Sequence, residues 1–256
     1  MIYIILSPSK TINQSVGRNY DEYDLPYYLK ESSEISRKLS KCKVKELGEL
    51  LDTSNKLSEL AYDRYQFWNI DHSLVNAKQA ILSFKGDVYS GLDADSFSDE
   101  DLSYSNDHLI IFSGLYGILQ SLDLIQPYRL EIAAKLKIGR KKDLYDFWKD
   151  KITSRLNQLM ESDDNPILIN LASNEYFKSI DTKRIKCPII TQVFKENKNG
   201  NYKVVSIFAK RARGLLTSYI IRNRIDDPEK IKLFDEQGYY YNDNLSSRSE
   251  IVFTRG

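Results

Sequence analysis

The chain opens on five consecutive apolar positions, Ile2-Tyr3-Ile4-Ile5-Leu6, and then breaks at Ser7-Pro8-Ser9-Lys10. An apolar run this short, bounded by polar punctuation, reads as a strand buried on both faces. The same signature recurs at residues 80–84 before Lys85-Gly86-Asp87, and at 108–112 before Ser113-Gly114-Leu115-Tyr116-Gly117. It appears again at 166–171, before Ala172-Ser173. Between these runs the period changes to that of a helix. Pro26 followed by Leu29, Ile35 and Leu39 predicts one helix, and residues 44–51 a second. Leu57, Leu60, Ala61, Arg64 and Trp68 predict a third, so residues 44–68 read as two helices joined by a tight turn at Asp52-Thr53-Ser54-Asn55. Ser98-Asp99-Glu100-Asp101 is a capping-box pattern opening a short helix. Residues 143–160 give the clearest amphipathic helix, with Leu144, Phe147, Trp148, Ile152, Leu156 and Leu159 on one side. Strands at 187–195 and 202–209 flank the hairpin signal Asn197-Lys198-Asn199-Gly200-Asn201, a helix follows over 212–225, and residues 239–241 pair with 250–253 in a second hairpin. The expectation is an α/β (mixed α+β) fold with a mixed sheet flanked by helices. No linker composition interrupts residues 1–256, which are expected to form a single domain.

Composition narrows the function. With 256 residues, 41% of them hydrophobic, the chain can bury a sizeable core and is not a disordered segment. Its 37 Lys and Arg nearly cancel 36 Asp and Glu, which excludes a uniformly basic or acidic protein but not a local basic cleft. The charge is in fact unevenly spread. Residues 87–107 hold seven acids and no Lys or Arg, whereas residues 183–224 hold eleven bases against Glu196 alone. Two cysteines and two histidines supply neither a disulfide framework nor a zinc spacing, so no metal and no cofactor are expected. The absence of a basic start and a long apolar run points to a cytoplasmic protein without a membrane partner. No phosphate-binding glycine loop, dinucleotide fingerprint or Ser/His/Asp arrangement is present.

The candidate chemistry sits where strands end. In open α/β sheets ligands bind outside the carboxyl ends of the strands. Five polar clusters hold such positions: 7–10, 85–87, 113–117, 173–175 and 210–214. The sharpest is Lys210-Arg211-Ala212-Arg213-Gly214, expected where a strand meets a helix, so that free backbone N–H groups and added cations make a phosphate site. Lys10, after a buried strand, invites two readings. It is either a phosphate contact or, with Asp87 and Glu175 nearby, a desolvated amine nucleophile of an enzyme acting on damaged DNA or on a nucleotide.

Several of these residues fall within blocks that resemble the YaaA (peroxide stress resistance) family. They are Ser7-Pro8-Ser9-Lys10-Thr11, the stretch from Ala80 to Leu92 and Ser113-Gly114-Leu115-Tyr116-Gly117-Ile118-Leu119. Pro127-Tyr128-Arg129-Leu130-Glu131, Asn170-Leu171-Ala172-Ser173-Asn174-Glu175-Tyr176-Phe177 and Ala209-Lys210-Arg211-Ala212-Arg213-Gly214 complete the set in family order. Ser9 replaces the family's usual Ala, and Gln120-Ser121 stands where the family tends to carry Arg-Pro, which lowers the charge expected of a basic cleft. The resemblance implies a fold of its own type, a basic cleft and a helix-hairpin-helix element that binds DNA. It also implies protection during peroxide stress with lowered free iron. Residues 44–68, offering Ser54, Asn55, Lys56 and Arg64 to phosphates, are the preferred hairpin element, with 109–120 and its Gly114 and Gly117 as the other candidate. The partner implied is DNA, double-stranded and distorted or partly single-stranded, bound with little sequence preference. Ser7, Lys10, Lys56, Arg64, Lys85, Arg129, Lys210, Arg211 and Arg213 are its expected contacts, and no obligate protein partner is inferred. Iron is not expected to be held by the protein itself, because soft and imidazole ligands are nearly absent.

Overall fold

The computed structural model describes residues 1–14 and 17–256. Its elements in chain order are β1 (Ile2–Leu6), β2 (Thr11–Ile12), α1 (Leu29–Leu39), α2 (Val44–Leu51), α3 (Asn55–Phe67), β3 (Lys78–Gln79), α4 (Ala80–Ser83) and β4 (Phe84–Lys85). Next come α5 (Asp87–Leu92), α6 (Asp99–His108), β5 (Leu109–Ser113), β6 (Gly117–Gln120), β7 (Leu124–Ile125), α7 (Leu144–Leu159) and β8 (Ile167–Leu171). The chain closes with α8 (Asn174–Phe177), β9 (Ile189–Lys198), β10 (Asn201–Lys203), α9 (Ser206–Arg222), α10 (Pro228–Ile231), β11 (Tyr240–Tyr241) and β12 (Glu250–Arg255). No described helix is long and apolar enough to cross a membrane.

The main sheet runs β11-β12-β9-β8-β1-β5-β6, with β10 paired to β9. Its centre is parallel: β1 pairs with β5 and with β8, β8 with β9, and β9 with β12. These five strands, read across the sheet from β5 to β12, have the chain order 2-1-3-4-5. That is the order of a doubly wound open sheet, whose ligand crevice opens where the winding reverses, here between β1 and β8. Antiparallel hairpins close both edges, β5 with β6 and β11 with β12. The expected mixed sheet is therefore present. Every residue of β1 is buried, as its unbroken apolar run requires, and the core cluster extends from Ile2 to Phe253.

Two sequence expectations give way. Residues 80–84 do not make a strand. Residues 80–83 form the single helical turn α4, between the short strands β3 and β4. All four of its residues are buried, so no alternation distinguishes helix from strand there. The second arm of the Asn197–Asn201 hairpin stops at Lys203 instead of continuing to residue 209, and α9 begins at Ser206. The predicted α2–α3 pair holds, turning at Asp52 in a left-handed conformation (φ 45°). Ser98 caps α6 as expected, accepting from the Asp101 N–H while the Asp101 carboxylate accepts from the Ser98 N–H.

Candidate functional site

Outside the carboxyl ends of β1 and β8 lies a cavity of about 400 Å³. Leu6 and Leu171 are register partners, so the chain leaves both strands at the same edge. The two exits are tied together there: Ser7 Oγ accepts from the Ser173 N–H (2.8 Å) and donates to Ser173 Oγ (3.2 Å). Beyond Lys10 the chain forms β2, which pairs with β4 through Thr11 and Lys85, and this carries Lys85, Gly86 and Asp87 to the same rim. Gly86 adopts φ +107°, a conformation that glycine reaches without a side-chain clash, at the turn into α5.

The opposite wall comes from α9. It crosses α5 at Gly91 and Gly214, so closely that a Cβ on Gly214 would lie 1.8 Å from the Val88 carbonyl oxygen, and one on Gly91 2.1 Å from that of Arg211. That contact seats Lys210 and Arg213 over Asp87 and Val88 on the cavity. A fourth wall is the extended segment 128–131. In it Tyr128 and Leu130 are buried while Arg129 and Glu131 are half-buried. Arg64 and Tyr65 on α3 fix this segment from behind, donating to the carbonyls of Tyr128 (3.1 Å) and Arg129 (2.6 Å).

Five cations, Lys10, Lys85, Arg129, Lys210 and Arg213, line this space with three carboxylates, Asp87, Glu131 and Glu175. Glu131 is the shared anion, 3.0 Å from Lys10 Nζ and 3.6 Å from Arg129. Lys85 pairs with Asp95 at 3.1 Å. Arg213 has no carboxylate partner among the described residues, and burial alone pulls its pKa down. Its Nε and that of Arg129 are both buried without a hydrogen-bond partner. Buried polar groups are normally satisfied; here Oε1 of Glu131, on the same lining, is likewise buried without a hydrogen bond, so unpaired donors and an unpaired acceptor share this wall. The charge asymmetry along the chain is cancelled in space only in part: of the basic segment Arg224 meets Asp101 and Arg184 meets Asp150, while its one acid, Glu196, is held by Arg255.

Four of the five strand-end clusters therefore converge, with Ser7, Lys10, Lys85, Asp87, Glu175, Lys210 and Arg213 on one cavity. The fifth, 113–117, does not line it. It turns the antiparallel β5–β6 hairpin, so residues 109–120 are strands rather than a helix pair. Gln120 is absent from the lining too, so the departure from Arg there leaves the cavity unchanged. Lys210 and Arg213 do not sit at a helix start as expected, because α9 begins at Ser206 and places them inside the helix. Arg211 is exposed and points elsewhere than the cavity. Lys56 is exposed on α3, while Arg64 is spent on the Tyr128 carbonyl, and neither lines the cavity. Lys10 is not a desolvated amine: its side chain is 65% exposed and ion-paired. Among the described residues no three His, Cys, Asp or Glu side chains group to hold a metal.

Sequence reasoning gave Glu131 no role at the site, and passed over the buried rings Tyr89, Tyr128 and Tyr176 that line it. The alternation of Tyr128-Arg129-Leu130-Glu131 was the available signal, an extended segment with one charged side.

Comparison with known proteins gives a consistent result. The family model described as peroxide stress protein YaaA matches residues 2–245. A UPF0246 protein of Saccharophagus degradans is 46% identical over 252 residues, covering 98% of each chain. Another UPF0246 protein, from Teredinibacter turnerae, is 46% identical over the same length and coverage.

Proposed function

Because the chain belongs to the YaaA family of peroxide stress proteins, we propose that it acts in the peroxide response by binding DNA along the cation-rich edge where β1 and β8 end. The observation that carries this reading is the surplus charge on α9. Lys210 and Arg211 are exposed and form no ion pair with another described residue, whereas the Arg residues further along the helix and beyond it are engaged, Arg222 with Ser96 and Ser218 and Arg224 with Asp101. Unpaired cations at two successive exposed positions, Lys210 on the cavity rim and Arg211 beside it on the outer side of the helix, suit a polyanionic backbone. Phosphate contacts hold a nucleic acid without reading its sequence. Arg155, Asn157 and Gln158 of α7 are engaged within the protein, Arg155 donating to Gln158 and Asn157 to the Arg184 carbonyl, and are not free to read base edges in a groove. Binding is therefore largely independent of sequence and falls steeply with salt, because each neutralised phosphate releases counterions.

The test is a salt titration of duplex binding by fluorescence anisotropy, comparing the parent with Lys210→Ala/Arg211→Ala. The variant is expected to bind all sequences more weakly and to lose about two units from the slope of log affinity against log salt, roughly one per contact. Equal affinity for parent and variant at every salt concentration would place the phosphate track elsewhere.

A further inference from the structure

We propose that the outward face of α3 packs antiparallel against α3 of a second copy of this chain, a pairing that does not depend on DNA binding. At about 100° per residue, Ser58, Ala61 and Tyr65 fall on one side of α3, and all three are buried. Lys56, Leu60, Asp63 and Phe67 fall on the opposite side, and all four are exposed. Leu57 borders them and is exposed too. The flanks of this face are taken within the chain, Gln66 donating to the Ser40 carbonyl at 2.8 Å and Arg64 to that of Tyr128 at 3.1 Å. The strip between them is left open, with Phe67 81% exposed. Single exposed apolar side chains are ordinary, but Leu57, Leu60 and Phe67 share one helix face and make a surface.

Charge decides what covers it. Residues 44–67 carry five acids, Glu46, Glu49, Asp52, Glu59 and Asp63, against Lys45, Lys56 and Arg64. With Arg64 engaged, that balance disfavours a phosphate backbone. Lys56 and Asp63 stand two turns apart on the open face, and neither forms an ion pair with another described residue. In a two-fold pair a residue i that meets j is matched by a j that meets i. An antiparallel pair centred near Leu60 therefore sets Leu60 on the partner's Leu60 and Lys56 beside the partner's Asp63, twice over. Each Phe67 then reaches past the start of the other α3 to its α2–α3 turn. The face is complementary to itself in both its apolar seam and its charges. One helix of 13 residues is a small contact, so the pair belongs with weak, reversible interfaces, below about 1,200 Å².

Sedimentation velocity across a dilution series of the full chain tests this. The parent is expected to pass from dimer to monomer on dilution. Lys56→Glu and Asp63→Lys each set like charges against one another in the pair, and each is expected to weaken dimerisation at least about tenfold. The double variant Lys56→Glu/Asp63→Lys is expected to restore it. Both positions are exposed, and thermal melting checks that every variant is folded. A parent that stays monomeric at the highest concentration overturns the inference. Single variants that dimerise like the parent also overturn it, as does a double variant no tighter than the singles. All three results leave DNA binding by α9 standing. Phe67→Ser is expected to weaken dimerisation and keep the parent's affinity for duplex; a variant that loses duplex binding instead would give this face to DNA and overturn the pairing.

Discussion

Burial of Asp123, next to the β6 end, pushes its carboxyl up to about 7, opposed by the Gln120 N–H it accepts at 2.8 Å and reinforced by the charge of Asp24. An unfolded aspartate titrates near 3.9, so the folded chain holds this proton over a range in which the unfolded chain has released it. The contribution to stability is greatest at and below about pH 4, falls as pH rises to about 7, and is level beyond. Asp123→Asn keeps an oxygen for the Gln120 N–H and removes the titration. At pH 8 the variant should be more stable by at least about 1 kcal/mol, taking about 1.4 kcal/mol per pKa unit, or roughly 2–4 °C in Tm for a chain of this size. Calorimetry from pH 4 to 8 checks this, since the difference from the parent should grow with pH; parallel profiles would refute it. Single residues were unevenly legible in the sequence. The position of Lys10 after a buried strand was readable, but its exposure depends on how far the β1–β2 link stands off the sheet. The burial of Arg213 depends on α5 lying across α9, and no local pattern encodes that distance.

At the scale of elements, the α5–α9 crossing sets the site. Gly91 and Gly214 meet backbone on both sides, so neither tolerates a methyl without the helices separating. Gly91→Ala should cost about 1–3 kcal/mol, the range for overpacking, and shift the carbonyl of Arg211 away from α5. Thermal melting of the alanine variant reads this directly, and an unchanged Tm would mean that the helices do not approach this closely. The strand expected over 202–209 fails for a related reason. Val204, Val205, Ile207 and Phe208 have strand-forming side chains, yet Val204, Ile207 and Phe208 are exposed. The packing of α9 on α5, α6 and β9 overrides the local preference and draws Ser206 to Ala209 into the helix. The helices over 44–67 and 144–159 were legible because each has an apolar face against the core and polar residues outside, with Leu47, Leu51, Trp148, Ile152 and Leu156 buried.

At the scale of the molecule, the strand runs and the polar clusters after them were readable, and the reversal of winding at β1 and β8 was not. That reversal requires β8 to pair on the far side of β1 from β5, a choice made by long-range packing. It explains why the clusters after β1 and β8 meet; the β2–β4 pairing and the α5–α9 crossing bring in two more, and the fifth, turning an antiparallel hairpin, stays apart. It also separates two candidate DNA surfaces, the β1–β8 cavity and the helix pair 44–67 that the sequence favoured as a hairpin element. Photo-cross-linking of duplexes carrying iodinated deoxyuridine, with the modified peptides mapped by mass spectrometry, discriminates between them most directly. Adducts are predicted in residues 7–10, 85–89, 173–176 and 206–213. Adducts confined to residues 44–67 would contradict the account.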